Sequence, residues 1–200
     1  MTDPFDRRAD MRSIRVLLVF CLLLVGGVGA ADTASPYAGQ EQREIKALSP
    51  TEIEDLLAGR GMGLAKAAEL NGYPGPAHVL ELADRLRLTP EQRTATQALF
   101  EGMSQDARRL GAAIVAAERD LERGFAEHRL DEGDLQARLN ALGALQAELR
   151  FVHLRTHLAQ AALLTPAQIA RYDALRGYDR MEAPARHGKH GSHGAHGSPQ

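Results

Sequence analysis

Two imidazoles stand four residues apart in His153-Leu154-Arg155-Thr156-His157. On a helix that spacing puts both on one face, about 6 Å apart, where they can chelate one ion. Leu154 occupies the place of glutamate in the zinc-protease H-E-x-x-H motif, so that hydrolytic chemistry is excluded. Further ligands would have to come from a facing helix. With a chain turn near residue 130, the facing positions are about 103 to 107, which makes Glu101, Met103, Gln105 and Asp106 the candidates. His78 lies where it can reach the same end. The competing reading is structural: two histidines flanking a packed stripe, each bonded to a carbonyl or carboxylate. A second group, His187, His190, His193 and His196, recurs every third residue with glycine after each. In a flexible segment such spacing lets several imidazoles wrap one Zn²⁺, Ni²⁺ or Cu²⁺ ion. The alternative is a solubilising tail. Metal binding by this tail would fail below about pH 6, as the imidazoles protonate.

Helices must position these groups. Thr89-Pro90-Glu91-Gln92 is a capping box with proline at the first helical position. Behind it Leu99, Met103, Ala107, Leu110, Ile114, Ala117, Leu121 and Phe125 recur at steps of three or four, which predicts an amphipathic helix from Pro90 to about His128. Asp131 is the expected cap of the next. There Leu135, Leu139, Leu142, Leu145, Leu149, Val152 and Leu158 write a second stripe, to about Leu163. Two long stripes joined by a short loop predict an antiparallel hairpin. Thr165-Pro166-Ala167-Gln168 repeats the box and opens a last helix ending at Gly177. Upstream, Ser49-Pro50-Thr51-Glu52 starts a short helix, residues 64 to 70 predict another, and the Asn71–Pro76 break leads into helical turns to Leu86. Residues 32 to 47 read as a flexible arm, and from about residue 181 the low-complexity sequence reads as a disordered tail. The expected fold class is all-α: a long antiparallel hairpin over residues 77–180, short helices within 32–76, and the tail over 181–200.

Composition narrows the function classes. Val16 to Ala30 is free of charge, follows Arg12 and Arg15, and exits through small residues. This predicts a secretory signal peptide over residues 1–31, with translation starting at Met1 or Met11. The run is too short and too glycine-rich at its end for a spanning helix, so no stable membrane anchor is expected after cleavage. Cleavage removes Cys21, the sole cysteine, and with it any disulfide, thiolate ligand or thiol nucleophile. It leaves 20 basic against 23 acidic residues, a balance that gives no support to nucleic-acid binding. No Ser/His/Asp order, phosphate loop or paired acid stands out, so an enzyme is not expected.

The two boxes, Leu88-Thr89-Pro90-Glu91-Gln92 and Leu164-Thr165-Pro166-Ala167-Gln168, flank the helical pair in an exported chain. In this the sequence resembles the Spy/CpxP family of periplasmic proteins and its heavy-metal-resistance relatives of the ZraP and CnrX type, over about His78 to Tyr178. The resemblance marks Leu88, Thr89, Gln92, Leu164, Thr165 and Gln168 as motif residues. It implies a periplasmic helical hairpin, often a cradle-shaped homodimer. It also implies two activities: binding and sensing of metal ions in an envelope stress or resistance system, or ATP-independent holding of unfolded proteins. The partners would be divalent ions with an envelope regulatory protein in one case, and unfolded chains in the other. No cofactor is required, and Zn, Ni or Cu are the candidate ions.

Overall fold

The computed structural model describes residues 35–178. Two compact units divide the chain after Gln42. Of the first, only residues 35–42 are described: a turn in which Ala38 N–H donates to Ser35 O at 2.9 Å and Gln40 Nε2 to Pro36 O at 3.1 Å. The second unit is all-α, with six helices and no strand among the described residues: α1 Pro50–Ala58, α2 Lys66–Glu69, α3 Pro76–Glu81, α4 Pro90–Ala126, α5 Glu132–Leu163 and α6 Pro166–Arg176. No helix among these residues is long and apolar enough to cross a membrane.

Local chemistry sets the helix starts. Ser49, Thr89 and Thr165 each accept from the N–H three residues on, and Glu52, Gln92 and Gln168 reach back to the cap N–H. Proline follows each cap, where a missing N–H costs nothing. Asp131 caps α5 by accepting from Asp134 N at 2.8 Å. The first long helix has 37 residues and is about 55 Å long.

The two long helices run antiparallel. Arg138 meets Asp120, Arg155 meets Asp106 at 2.7 Å, and Gln160 Nε2 donates to Thr96 Oγ1 at 3.1 Å. Between them lies a core of Ala107, Leu110, Ile114 and Val115 from α4 with Leu142, Leu149 and Val152 from α5. Leu56 of α1 joins this core by crossing α4 at Gly111. A Cβ on Gly111 would stand 1.9 Å from the Leu56 carbonyl oxygen, so only glycine admits the crossing.

The segment leading into α1 is fastened to the helices, unlike the flexible arm expected for 32–47. Ile45 is 1% exposed within the core. Glu44 pairs with Arg119 at 2.5 Å, and Lys46 pairs with Glu122 through both its backbone and its ammonium. The buried isoleucine offsets part of the cost of ordering this segment, and the ion pairs add to it. A second apolar cluster of Val79, Leu86, Leu164 and Tyr172 closes the end of the pair where the two boxes meet.

Candidate functional site

His153 and His157 fall on the face of α5 turned toward the loop between α2 and α3, and both are buried, at 3% and 8% exposure. With Met103 of α4, His78 of α3, Met62 and Glu69 they line a cavity of about 530 Å³. His157 Nδ1 lies 2.8 Å from the Tyr73 carbonyl. A carbonyl only accepts, so Nδ1 carries a proton, and the lone pair of the neutral ring is on Nε2. Gly75 makes room on that side: a Cβ there would stand 3.0 Å from His157 Nε2. His153 Nε2 is buried and has no hydrogen-bond partner. Burial, then the neighbouring His157, hold the His153 imidazole below its ordinary pKa, in the neutral form that can ligate. His78 Nδ1 lies 2.9 Å from a Glu81 oxygen.

Glu69 is the half-buried carboxylate of the site. Its Oε1 accepts from the Tyr172 hydroxyl and its Oε2 from Gly75 N–H at 3.1 Å. Arg176 Nε and His157 Nδ1 each stand 3.7 Å from it. Burial, reinforced by the Glu69 carboxylate, raises the pKa of the Tyr172 phenol, so the proton stays on the tyrosine. Sequence reasoning missed both residues. Glu69 sits in a four-residue helix without pattern, and nothing local to Tyr172 signals a partner 103 residues away.

The sequence candidates separate. His78, Met103, His153 and His157 share one cavity. Glu101 does not join them: its carboxylate accepts from Gln97 on the exposed face of α4. At 100° per residue it lies about 200° round the helix from Met103. Asp106 is engaged by Arg155 and Arg109, and Gln105 is exposed. Among the described residues, no three His, Cys, Asp or Glu side chains converge as a metal site. His187, His190, His193 and His196 lie outside the described residues.

The box residues do more than cap. Gln92 Nε2 donates to Gln168 Oε1 at 3.0 Å, and Gln168 Nε2 returns a bond to Gln92 Oε1 at 2.9 Å. Gln92 also donates to Leu163 O and Gln168 to Leu86 O. Each amide therefore caps its own helix with the oxygen and ties it to the other with the nitrogen. Leu164 is buried, and Leu88 packs against the same cluster. Comparison of the chain with protein-family models, with curated proteins and with solved structures gives no match.

Proposed function

We propose that this is a periplasmic metal-binding protein that reports metal ions to an envelope stress or resistance system, through His153 and His157 with His78 and Met103. One observation carries the reading: the buried, unbonded Nε2 of His153 beside an imidazole whose Nδ1 is tied to a backbone carbonyl. A buried polar atom without a partner costs stability, and fixing Nδ1 is how proteins orient a ligating histidine. The resemblance carried by the paired boxes points the same way. The test is a calorimetric titration of Zn²⁺, Ni²⁺ and Cu²⁺ into the full chain with Cys21 changed to Ser and its four tail histidines changed to Asn, beside the same chain with His153→Ala and His157→Ala. A stoichiometric site is expected in the first and lost in the second. If neither takes up any ion, supplied as these salts or as monovalent copper, the reading fails.

A second reading, an ATP-independent holdase, is favoured by an unpartnered apolar stripe on α5. Phe151 and Leu158 are 53% and 57% exposed, with Arg155 beside them. Ala144, Ala147, Phe151, Leu154, Leu158 and Ala161 follow one another at alternate steps of three and four. That is the spacing of a helix–helix seam, so the same stripe also supports a homodimer. Under the holdase reading, Phe151→Ser with Leu158→Ser abolishes suppression of client aggregation, while the histidine variants retain it.

A further inference from the structure

We infer that the cavity beside α5 selects a soft monovalent cation, Cu(I), over the divalent ions. The inference rests on the metal reading above and concerns the same site.

Every available donor on the cavity wall is uncharged. His153 and His157 offer imidazole nitrogens, Met62 and Met103 offer thioether sulfurs, and His78 lies on the same wall without forming a three-histidine cluster with them. In His157 and His78 the Nδ1 atom is already engaged, by the Tyr73 carbonyl and the Glu81 carboxylate, which leaves Nε2 to ligate. The wall's one carboxylate, Glu69, has both oxygens taken, by the Tyr172 hydroxyl and the Gly75 N–H. Two cations, Arg60 and Lys66, also line the cavity. With Glu69 already hydrogen-bonded and set against Arg60 and Lys66, such a wall carries no net negative charge to offset a divalent ion. Zn²⁺ sites close with three or four ligands, usually thiolate, imidazole or carboxylate, and Mg²⁺ and Ca²⁺ require oxygen. Thioether sulfur selects Cu(I), which is satisfied by a few neutral soft ligands.

Met62 adds a backbone observation. It stands between Gly61 and Gly63, yet it holds a left-handed conformation at φ 46°. A long side chain at such a position costs about 1 kcal/mol or more and persists where something requires it. The residue so held is one of the two methionines that line the cavity.

The experiment uses the full chain with Cys21 changed to Ser and the four tail histidines changed to Asn, kept anaerobic with ascorbate. Cu(I) affinity is read by competition with a chromogenic Cu(I) chelator; Zn²⁺ and Ni²⁺ are titrated calorimetrically. One equivalent of Cu(I) is expected, bound roughly a thousandfold or more tighter than either divalent ion. Met103→Leu and Met62→Leu, nearly isosteric, should each weaken Cu(I) by about tenfold or more and leave any divalent affinity unchanged. X-ray absorption at the copper edge should show nitrogen and sulfur neighbours, with sulfur reduced in each variant. Gly75→Ala, which crowds His157 Nε2, should weaken Cu(I) without removing a ligand. Zn²⁺ or Ni²⁺ binding as tightly as Cu(I), or Cu(I) affinity indifferent to both methionines, overturns the inference and leaves the metal reading standing. No uptake of any ion overturns both.

Discussion

The middle of the long helix pair and its box end are built on different terms. In the middle, Leu110, Ile114 and Val115 meet Leu142, Leu149 and Val152, with Ile45 and Leu56 laid across them, and the contact is apolar. A few turns along the same two helices, the buried positions become Thr96, His153, Thr156, His157 and Gln160, with Glu69 and Tyr172 brought in beside them. The middle is held by area removed from water, about 1.5–3 kcal/mol for each large side chain. The box end is held by hydrogen bonds that must be made one at a time, and His153 Nε2, Gln160 Oε1 and Arg176 Nε are among the buried atoms there that make none. A chain that needed only a stable helix pair would continue the leucine pattern to the end. The change in building material along one helix is what supports the proposal that the metal site lies at the box end.

Variants can break this contrast. The largest effect belongs to the middle. Gly111→Ala drives a methyl into the Leu56 carbonyl, with backbone on both sides and no flexible side chain to yield. A loss of about 3 kcal/mol is expected, measured by urea unfolding, with α1 displaced and its amides exchanging faster. A cost below about 1 kcal/mol would mean that α1 is loosely seated. Next is Tyr172→Phe at the box end. It leaves the half-buried Glu69 carboxylate without its hydroxyl donor, for about 2 kcal/mol. If that variant is neutral, the end is held by its apolar cluster and the contrast dissolves. Gln92→Glu sharpens it further. Glutamate serves equally well in a capping box, so a merely local role predicts no change. The carboxylate, however, loses the bonds to Leu163 O and Gln168 Oε1 and faces both oxygens, which should cost about 1–2 kcal/mol.

These cases mark what could be read in the sequence. Ser49, Thr89, Asp131 and Thr165 announce their helices because a cap is decided within four residues. The stripes of α4 and α5 are legible for a like reason, since their period is local. Glutamine rather than glutamate in two boxes is visible too, but its meaning is not, because the second amide function is used only where the boxes meet. Glu69 with Tyr172, and Ile45 in the core, depend on contacts across tens of residues that leave no periodic trace. Glu101 fails differently: register along the helix pair was foreseeable, and rotation about the helix axis was what separated it from Met103.

The smallest effect tests whether the middle tolerates charge at all. Glu118 of α4 is 9% exposed. Burial raises its carboxyl pKa above the usual range. A carboxyl whose folded pKa exceeds its unfolded one favours the native state when protonated. That contribution is complete below the unfolded pKa and is lost as pH rises through the folded one. At pH 7 the ionised group therefore opposes folding, and Glu118→Gln should stabilise by about 1 kcal/mol. The gain should shrink as the pH is lowered toward 4, where the native carboxyl takes up its proton. The neighbouring acid response has the opposite sign. The hydrogen bond from Lys46 holds Glu122 below the ordinary range, so its contribution is present above the unfolded pKa and disappears only as pH falls through the lower folded value. Subtracting the variant's melting curve from that of the parent at each pH removes this shared response and leaves Glu118 alone. A difference that is flat with pH would mean the carboxylate reaches water, and the apolar middle would then end near Val115, one turn further from the chain reversal than the buried stripe implies.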